Sequence, residues 1–587
     1  MILNDRSVGA MLAILVAVHA GLGVARGERP ADALLRLAPP DAGLTVTVED
    51  LQGHARELLD SKLAHDLQQL PAFRAWLASD HFRKLQTARL EIEAGLRTDL
   101  ETLRDDLLGE AFLLAMHLPA GAPPEQARGL FLARVRDPAT LTQLIEAINR
   151  AEGAALREIR TRQWRGVSYQ SRRFLPGTKP EEWYVVLDEG RCVAWSNSED
   201  LVRGVIDRWT SHRSEAGLLG LPRFRRVRDA LPKHPFASLF VDPRFLERLS
   251  AAEPVPRTEE EQRLRGLILR HVQAVEYLGA SFEWREGVVA HLHQELEPAR
   301  LDEQLVAGTT SPGESPALRH QIPPRALVVA MGQLALAPLW KALLELMSPE
   351  DRGRWELLAD VVGGETSTPT LANDLLTSLG PRVLAYLEAP AAETPGSWPW
   401  VVAVQIGGPR PADSTLSRSL AGRLRSALAL IALQTPSGQV PPRIETRTVA
   451  GTSVTGLVGG PHSLAFAVGP DVVVIGSGFE AVARHRNGLV DGGPELRRRR
   501  AVYFPDVESF AYCDLDALRA TLQQAESAAL LKRLARNRPG ATIEDLEQAI
   551  ALMGLFRFGY ITSRIAPGYE AVHHTLGLIA QEPSGEP

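Results

Sequence analysis

The chain is written twice. The segment Glu181–Ile206 aligns without a gap on Pro461–Arg486, so that the turn Asp188-Glu189-Gly190 meets Val468-Gly469-Pro470 and Val193-Ala194-Trp195 meets Val473-Val474-Ile475. Five more pairs of segments follow in the same order. Ala38–Val48 matches Ile322–Gly332, Leu107–Pro119 matches Ser378–Pro390, Arg165–Gln170 matches Ala450–Thr455, Pro235–Asp242 matches Ser509–Asp516, and Arg285–His293 matches Ala566–His574. Collinear matches whose spacing drifts are what gene duplication followed by loop insertion leaves behind. Each copy spans roughly 280 residues, too long for a solenoid repeat and right for a domain.

Within a copy the order reads strand, helical region, hairpin, helix, two hairpins, helix, strand, helix, hairpin. Neighbouring strands are joined by two- to four-residue turns containing glycine, which forces antiparallel pairing. The expected fold is α+β: two tandem copies of one domain, each a mostly antiparallel sheet with helices packed on one face. Residues 30–305 form the first copy, 306–320 a linker rich in Gly, Ser, Thr and Pro, 321–582 the second copy and 583–587 a tail.

The N-terminus carries Arg6 ahead of an apolar run, Ala10–Val18, with small residues after it, and residues 1–25 read as a secretory signal peptide. The alternative is an uncleaved anchor, because the uncharged stretch from Ser7 to Ala25 is just long enough to span a bilayer. A length of 587 residues, with 45% apolar and 23% charged, suits several buried cores, and a net charge of −6 gives no overall attraction to nucleic acid. The chain has only two cysteines, Cys192 and Cys513. The alignment sets Cys192 against Val472 and Cys513 against Leu239, so both read as small buried hydrophobes and not as a bridge or nucleophiles.

One stretch, Val472–Val482 (VVVIGSGFEAV), resembles a dinucleotide fingerprint. A fingerprint needs its glycine turn at the end of a parallel strand in a βαβ unit. Here the preceding strand is the second arm of a hairpin, and the first copy places Ser196-Asn197-Ser198 at Gly476-Ser477-Gly478. We read both as strand-to-helix turns with helix-capping residues, leave Asp491 in a loop, and expect no nucleotide and no cofactor. His291, His293 and Glu295 alternate on one strand, and His574 of the second copy aligns with His293, with His573 beside it in sequence. They read as imidazoles on a solvated strand face and not as a metal site.

The most distinctive polar feature is a basic segment ahead of the same strand in each copy: Arg223, Arg225 and Arg226, and Arg497, Arg498, Arg499 and Arg500. These are candidate anion-binding residues for lipid headgroups or a polyanion. The bland account is a solvated surface paired with acids such as Asp229 and Glu495. No aromatic ladder accompanies them beyond Phe224, so nucleic acid is not the expected partner.

The opening PADALLRLAPPDAGLTVTVEDL, then LLGEAFLLAMHLP, GLFLARVRDPATLTQLIEAIN and WSNSEDLVRGVI, together resemble an uncharacterised family of large secreted bacterial proteins of unknown function. The resemblance covers about the first 210 residues and implies export and this α+β fold. It implies no activity and no functional residues. The chain therefore reads as a non-enzymatic binding or scaffold protein of the periplasm or cell envelope, acting on an unknown envelope ligand or protein. The alternatives are an exported hydrolase with a site between the domains, and membrane-surface binding through the arginine segments.

Overall fold

Apolar residues on both faces of the central strands decide the architecture. In the segment AFLLAM, Phe112 and Leu113 point to opposite sides of a strand and both are buried, so each side must be covered. The computed structural model describes residues 29–119, 121–211, 217–252, 258–284, 286–301, 321–333, 344, 347–348, 350, 352–353, 379–390, 398–406, 414–433, 442–459, 463–488, 490–505, 507, 509–524 and 543–582. The signal segment, the linker and the tail inferred above lie outside the described residues. The chain divides into two compact units that are not contiguous in sequence. One takes Met1–Pro254, His271–Leu296 and Ile579–Pro583, and the other takes Val255–Arg270, Glu297–Leu578 and Ser584–Pro587.

The strands of the first unit are β1 (Leu44–Glu49), β2 (Ala111–His117), β3 (Arg128–Arg134), β4 (Leu156–Trp164), β5 (Val167–Phe174), β6 (Glu182–Leu187), β7 (Cys192–Ser196), β8 (Ala237–Val241), β9 (Val275–Trp284) and β10 (Gly287–Leu296). They form one antiparallel sheet in the order β4-β5-β6-β7-β3-β2-β1-β8-β9-β10. Its helices are α1 (Pro30–Leu37), α2 (Leu51–Asp60), α3 (Lys62–Gln69), α4 (Pro71–Leu77), α5 (Asp80–Leu96), α6 (Pro138–Ala151), α7 (Glu199–Ser211), α8 (Pro222–Ala230) and α9 (Pro243–Ala252).

Helices cover both faces of this sheet, which corrects the one-faced arrangement expected from sequence. On one face Leu34 of α1, Val202 of α7 and Phe224 of α8 pack with Leu113, Leu132 and Ala194. On the other, Leu51 of α2 and Leu141 of α6 pack with Phe112, Ala133 and Val193. Local signals set the ends of these elements. Asp137 caps α6 by accepting from the amides of Ala139 and Thr140, with Pro138 at the first helical position.

In the second unit the strands are β11 (Gln321–Ile322), β12 (Ala326–Gln333), β13 (Leu379–Glu388), β14 (Trp400–Ile406), β15 (Arg443–Val449), β16 (Thr452–Val458), β17 (Ala465–Val468), β18 (Val472–Gly476), β19 (Val490–Asp491), β20 (Ser509–Asp514), β21 (Phe558–Ile565) and β22 (Ala571–Ile579). The antiparallel order is β15-β16-β17-β18-β14-β13-β12-β20-β21. Strand for strand, this is the order of β4 through β9 in the first unit. The short β11 pairs in parallel with β19, so Asp491 lies in a bridge and not in the loop expected from its glycine neighbours. Helices α10 (Ser414–Leu433), α11 (Phe479–Asn487), α12 (Pro494–Tyr503), α13 (Leu515–Leu522) and α14 (Ile543–Met553) complete the described helices cited below. Here too both faces are covered: Ile475 packs against Leu428 of α10, while a Cβ on Gly476 would lie 3.1 Å from Val482 of α11.

The turns also correspond. The β4–β5 hairpin turns on Arg165 and Gly166 with φ of 47° and 79°, and the β15–β16 hairpin turns on Ala450 and Gly451 with φ of 48° and 82°. Two consecutive left-handed residues give the turn whose twist suits a two-residue hairpin, and glycine takes the second place at no steric cost.

Candidate functional site

The arginine segments fall on α8 and α12, and neither is a uniform basic face. Arg223 donates to Asp242 Oδ2 at 2.6 Å and lies over the Tyr277 ring. Arg226 divides its guanidinium between Glu295 at 2.9 Å and Glu276 at 2.8 Å, and Arg225 is exposed. In the second unit Arg499 is 3% exposed. It donates to the Tyr512 hydroxyl at 2.6 Å and to Asp514 Oδ2 at 2.9 Å, above the ring of Phe558. Arg498 donates to Glu495 at 2.7 Å, and that bond holds the Glu495 carboxyl below the usual carboxylate range. Arg500 lies over Phe510 and Arg497 is exposed. The seven side chains thus split between buried struts and separate surface positions, with carboxylates reaching four of them, three from other elements and one, Glu495, from the same helix.

The two struts share one construction. Asp242 ends β8, receives Arg223 on one oxygen and accepts from the amide of Arg244 on the other, capping α9. Asp514 ends β20, receives Arg499 on one oxygen and accepts from the amide of Ala517 on the other, capping α13. An aromatic ring from the next strand lies beneath each guanidinium. By this geometry Arg499, and not Arg497, stands where Arg223 does, and Cys513 stands where Val241 does and not where Leu239 does. The sequence match had slipped by one same-face position along the strand.

Sequence reasoning missed a second cluster. Glu199, in the first turn of α7, accepts at a single oxygen from the Tyr169 hydroxyl at 2.6 Å, from Arg162 at 2.8 Å and from Arg203 at 2.9 Å. Burial alone raises this carboxyl, but the Tyr169 and arginine contacts outweigh it and hold the group below its ordinary range. Arg203 lies over the Trp164 ring, and Trp164 donates to Asp207 at 2.9 Å. A carboxylate so fully supplied with donors fastens a hairpin to a helix and is a poor proton acceptor. Its residues are spread over β4, β5 and α7, so no local motif announces it.

The glycine stretch is a structural turn. β18 is antiparallel to both β17 and β14, so no parallel crossover brings a phosphate-binding helix end to Gly476. A Cβ at Gly476 would meet the Trp400 carbonyl oxygen at 2.8 Å, which explains the residue by packing. In the first unit the amide of Gly129 donates to Asn197 Oδ1 at 2.8 Å, and in the second the amide of Trp400 donates to Ser477 Oγ at 3.0 Å. Different side chains thus tie the strand-to-helix turn to the neighbouring strand.

His291, His293 and Glu295 do share one side of β10, but that side is not solvated: His293 is buried and contacts Glu295 at 3.0 Å. His291 lies 3.5 Å from Glu283, and the other oxygen of Glu295 is taken by Arg226. His574 Nδ1 lies 2.7 Å from Ser563 Oγ. Among the described residues no three His, Cys, Asp or Glu side chains gather in a way that could hold a metal ion. Burial pushes the Cys192 thiol up to about 12 and the half-buried Cys513 thiol to about 11, and neither is in a disulfide. In the second unit His485 of α11 is buried with Nδ1 3.2 Å from the Tyr386 hydroxyl, and burial pushes it down to about 4.

No protein-family model matches the chain, and no curated protein matches it. Two solved structures are similar in part. Crystal form III of TP0453 aligns with 47% of this chain and 84% of its own at 10% identity and a TM-score of 0.24. Crystal form IV of TP0453 aligns with 48% and 85% at 9% identity and a TM-score of 0.23. Likeness at that level carries no argument about fold or function. Among the described residues no helix is long and apolar enough to cross a membrane.

Proposed function

We propose that the chain is a non-enzymatic binding or scaffold protein of the periplasm or cell envelope, built by duplication of one α+β domain. The observation that carries the reading is the pairing order shared by the two units, from β4 through β9 and from β15 through β21. It is supported by the paired struts Arg223–Asp242 and Arg499–Asp514, where the strongest charges are spent on holding helix to sheet. Two broad, doubly covered sheets make rigid platforms whose outer helices are free to vary with the partner. The apolar run Ala10–Val18 supports export.

The reading is tested by fractionating cells, sequencing the N-terminus of the recovered protein and pulling down partners from the envelope fraction. It expects extracytoplasmic protein that retains a partner. Recovery from the cytosol with Met1 intact would contradict the compartment.

A further inference from the structure

Helices α4 and α5 contain no buried residue. Where they meet, three rings lie together: Phe73 and Trp76 have centroids 5.5 Å apart, and Trp76 and Phe82 4.9 Å apart. Ser79 builds the corner, its hydroxyl accepting from the amide of Phe82. Trp76 is 38% exposed, Leu77 37% and, further along α5, Leu90 63%. Aromatic and leucine side chains gathered in water at the end of a helical pair mark a contact surface, because a purely structural corner would use polar residues there.

The rim of this corner is cationic although the chain as a whole carries −6. Arg74, Arg83 and Lys84 flank the rings against one acid, Asp80, which pairs with Arg83. Arg74 donates to the Gln68 carbonyl oxygen at 3.1 Å and to Gln69 Oε1. Lys84 has no ion pair among the described residues. A tryptophan-centred apolar corner rimmed by guanidinium and ammonium groups complements a surface that is apolar within and negatively charged at its boundary. A pair of helices with no fully buried residue presents a ridge and not a groove, which suits a bilayer better than an inserted peptide.

We infer that this corner docks the first unit onto an anionic lipid bilayer. Trp76, Phe73 and Leu77 enter the boundary between headgroups and acyl chains, and Arg74 and Lys84 meet the lipid phosphates. The inference rests on this corner and is independent of the duplication. The corner differs from the arginine segments of α8 and α12, whose charges are largely taken up by carboxylates.

The test is flotation of the full chain with vesicles of phosphatidylglycerol or of phosphatidylcholine. Three proteins are compared: the unaltered chain, the double variant Phe73→Ser/Trp76→Ser, and the double variant Arg74→Glu/Lys84→Glu. All carry the same N-terminal segment, so differences between them report the corner, and matching thermal unfolding shows that each folds. The unaltered chain is expected to bind phosphatidylglycerol at least tenfold more tightly than phosphatidylcholine, with both variants weakened at least tenfold. The inference is overturned if the unaltered chain does not float with phosphatidylglycerol or if the ring variant binds as well as it does. Loss confined to the ring variant overturns the assignment of an anionic surface. A change in oligomeric mass in place of flotation assigns the corner to a second copy.

Discussion

Arg499 and Asp514 form a buried ion pair, Nη1 to Oδ2 at 2.9 Å, with side-chain exposures of 3% and 17%. The pair joins α12 to the end of β20, and the same aspartate caps α13. One side chain thereby fixes the register of three consecutive elements. Arg223 and Asp242 do the same for α8, β8 and α9, with a more exposed arginine at 23% and a less exposed aspartate at 10%.

Removing Asp514 strands a desolvated guanidinium. Asp514→Ala is expected to cost about 3–5 kcal/mol of unfolding free energy. Asp242→Ala is expected to cost less, about 1.5–3 kcal/mol, since water reaches Arg223. Urea denaturation of both variants measures the difference. Equal small losses would show that the pairs do not brace the fold.

His485 makes the second unit sensitive to acid. Its folded value of about 4 lies below the ordinary imidazole value of 6.5, so the folded protein binds fewer protons than the unfolded chain between those values. Stability from this group is fully present above about pH 6.5, falls as the pH drops through that window and levels off below about pH 4, a total of about 3 kcal/mol. Unfolding of the unaltered chain and of His485→Phe across pH 4 to 7 tests the point. A slope unchanged by the substitution would assign the acid sensitivity to other groups.

Gly476 is required by packing and not by a phosphate. Gly476→Ala places a methyl group against the Trp400 carbonyl oxygen and is expected to cost about 1–3 kcal/mol. The melting temperature of the unaltered chain should not respond to NAD, NADP or FAD. A cofactor-dependent rise that the substitution abolishes would restore the dinucleotide reading.

The carboxylate of Glu199 depends on the Tyr169 hydroxyl, whose residue is 1% exposed. Tyr169→Phe keeps the ring and removes that donor, and should cost about 1.5 kcal/mol. Tyr169→Phe in a Glu199→Gln background should cost distinctly less, and equal losses in the two backgrounds would deny the coupling.

Much of the element order was legible because glycine turns and apolar runs act locally. Arg165-Gly166 and Ala450-Gly451 announce hairpins from two residues each. The exact correspondence of Arg223 with Arg499 was not legible. Strand side chains alternate with a period of two, so sliding PFASLFVD by two residues along SFAYCDLD keeps every apolar residue on its own face. The Arg499–Asp514 contact and the pairing of Val328 with Cys513 fix the register. The second helical layer was missed although Phe112 and Leu113 are adjacent, because an apolar run shows that a strand is buried without naming what covers it. The element order likewise places a helical region after the first strand but does not mark the exposed corner at Trp76, where tertiary packing stops.

A crystal structure of the chain, with residues of the first unit superposed on those of the second, addresses the duplication most directly. The account predicts that β1 overlays β12, β2 overlays β13, β8 overlays β20, and that Arg223 and Asp242 fall on Arg499 and Asp514. Strands paired in a different order in the two units, or aspartates closing different strands, would contradict it.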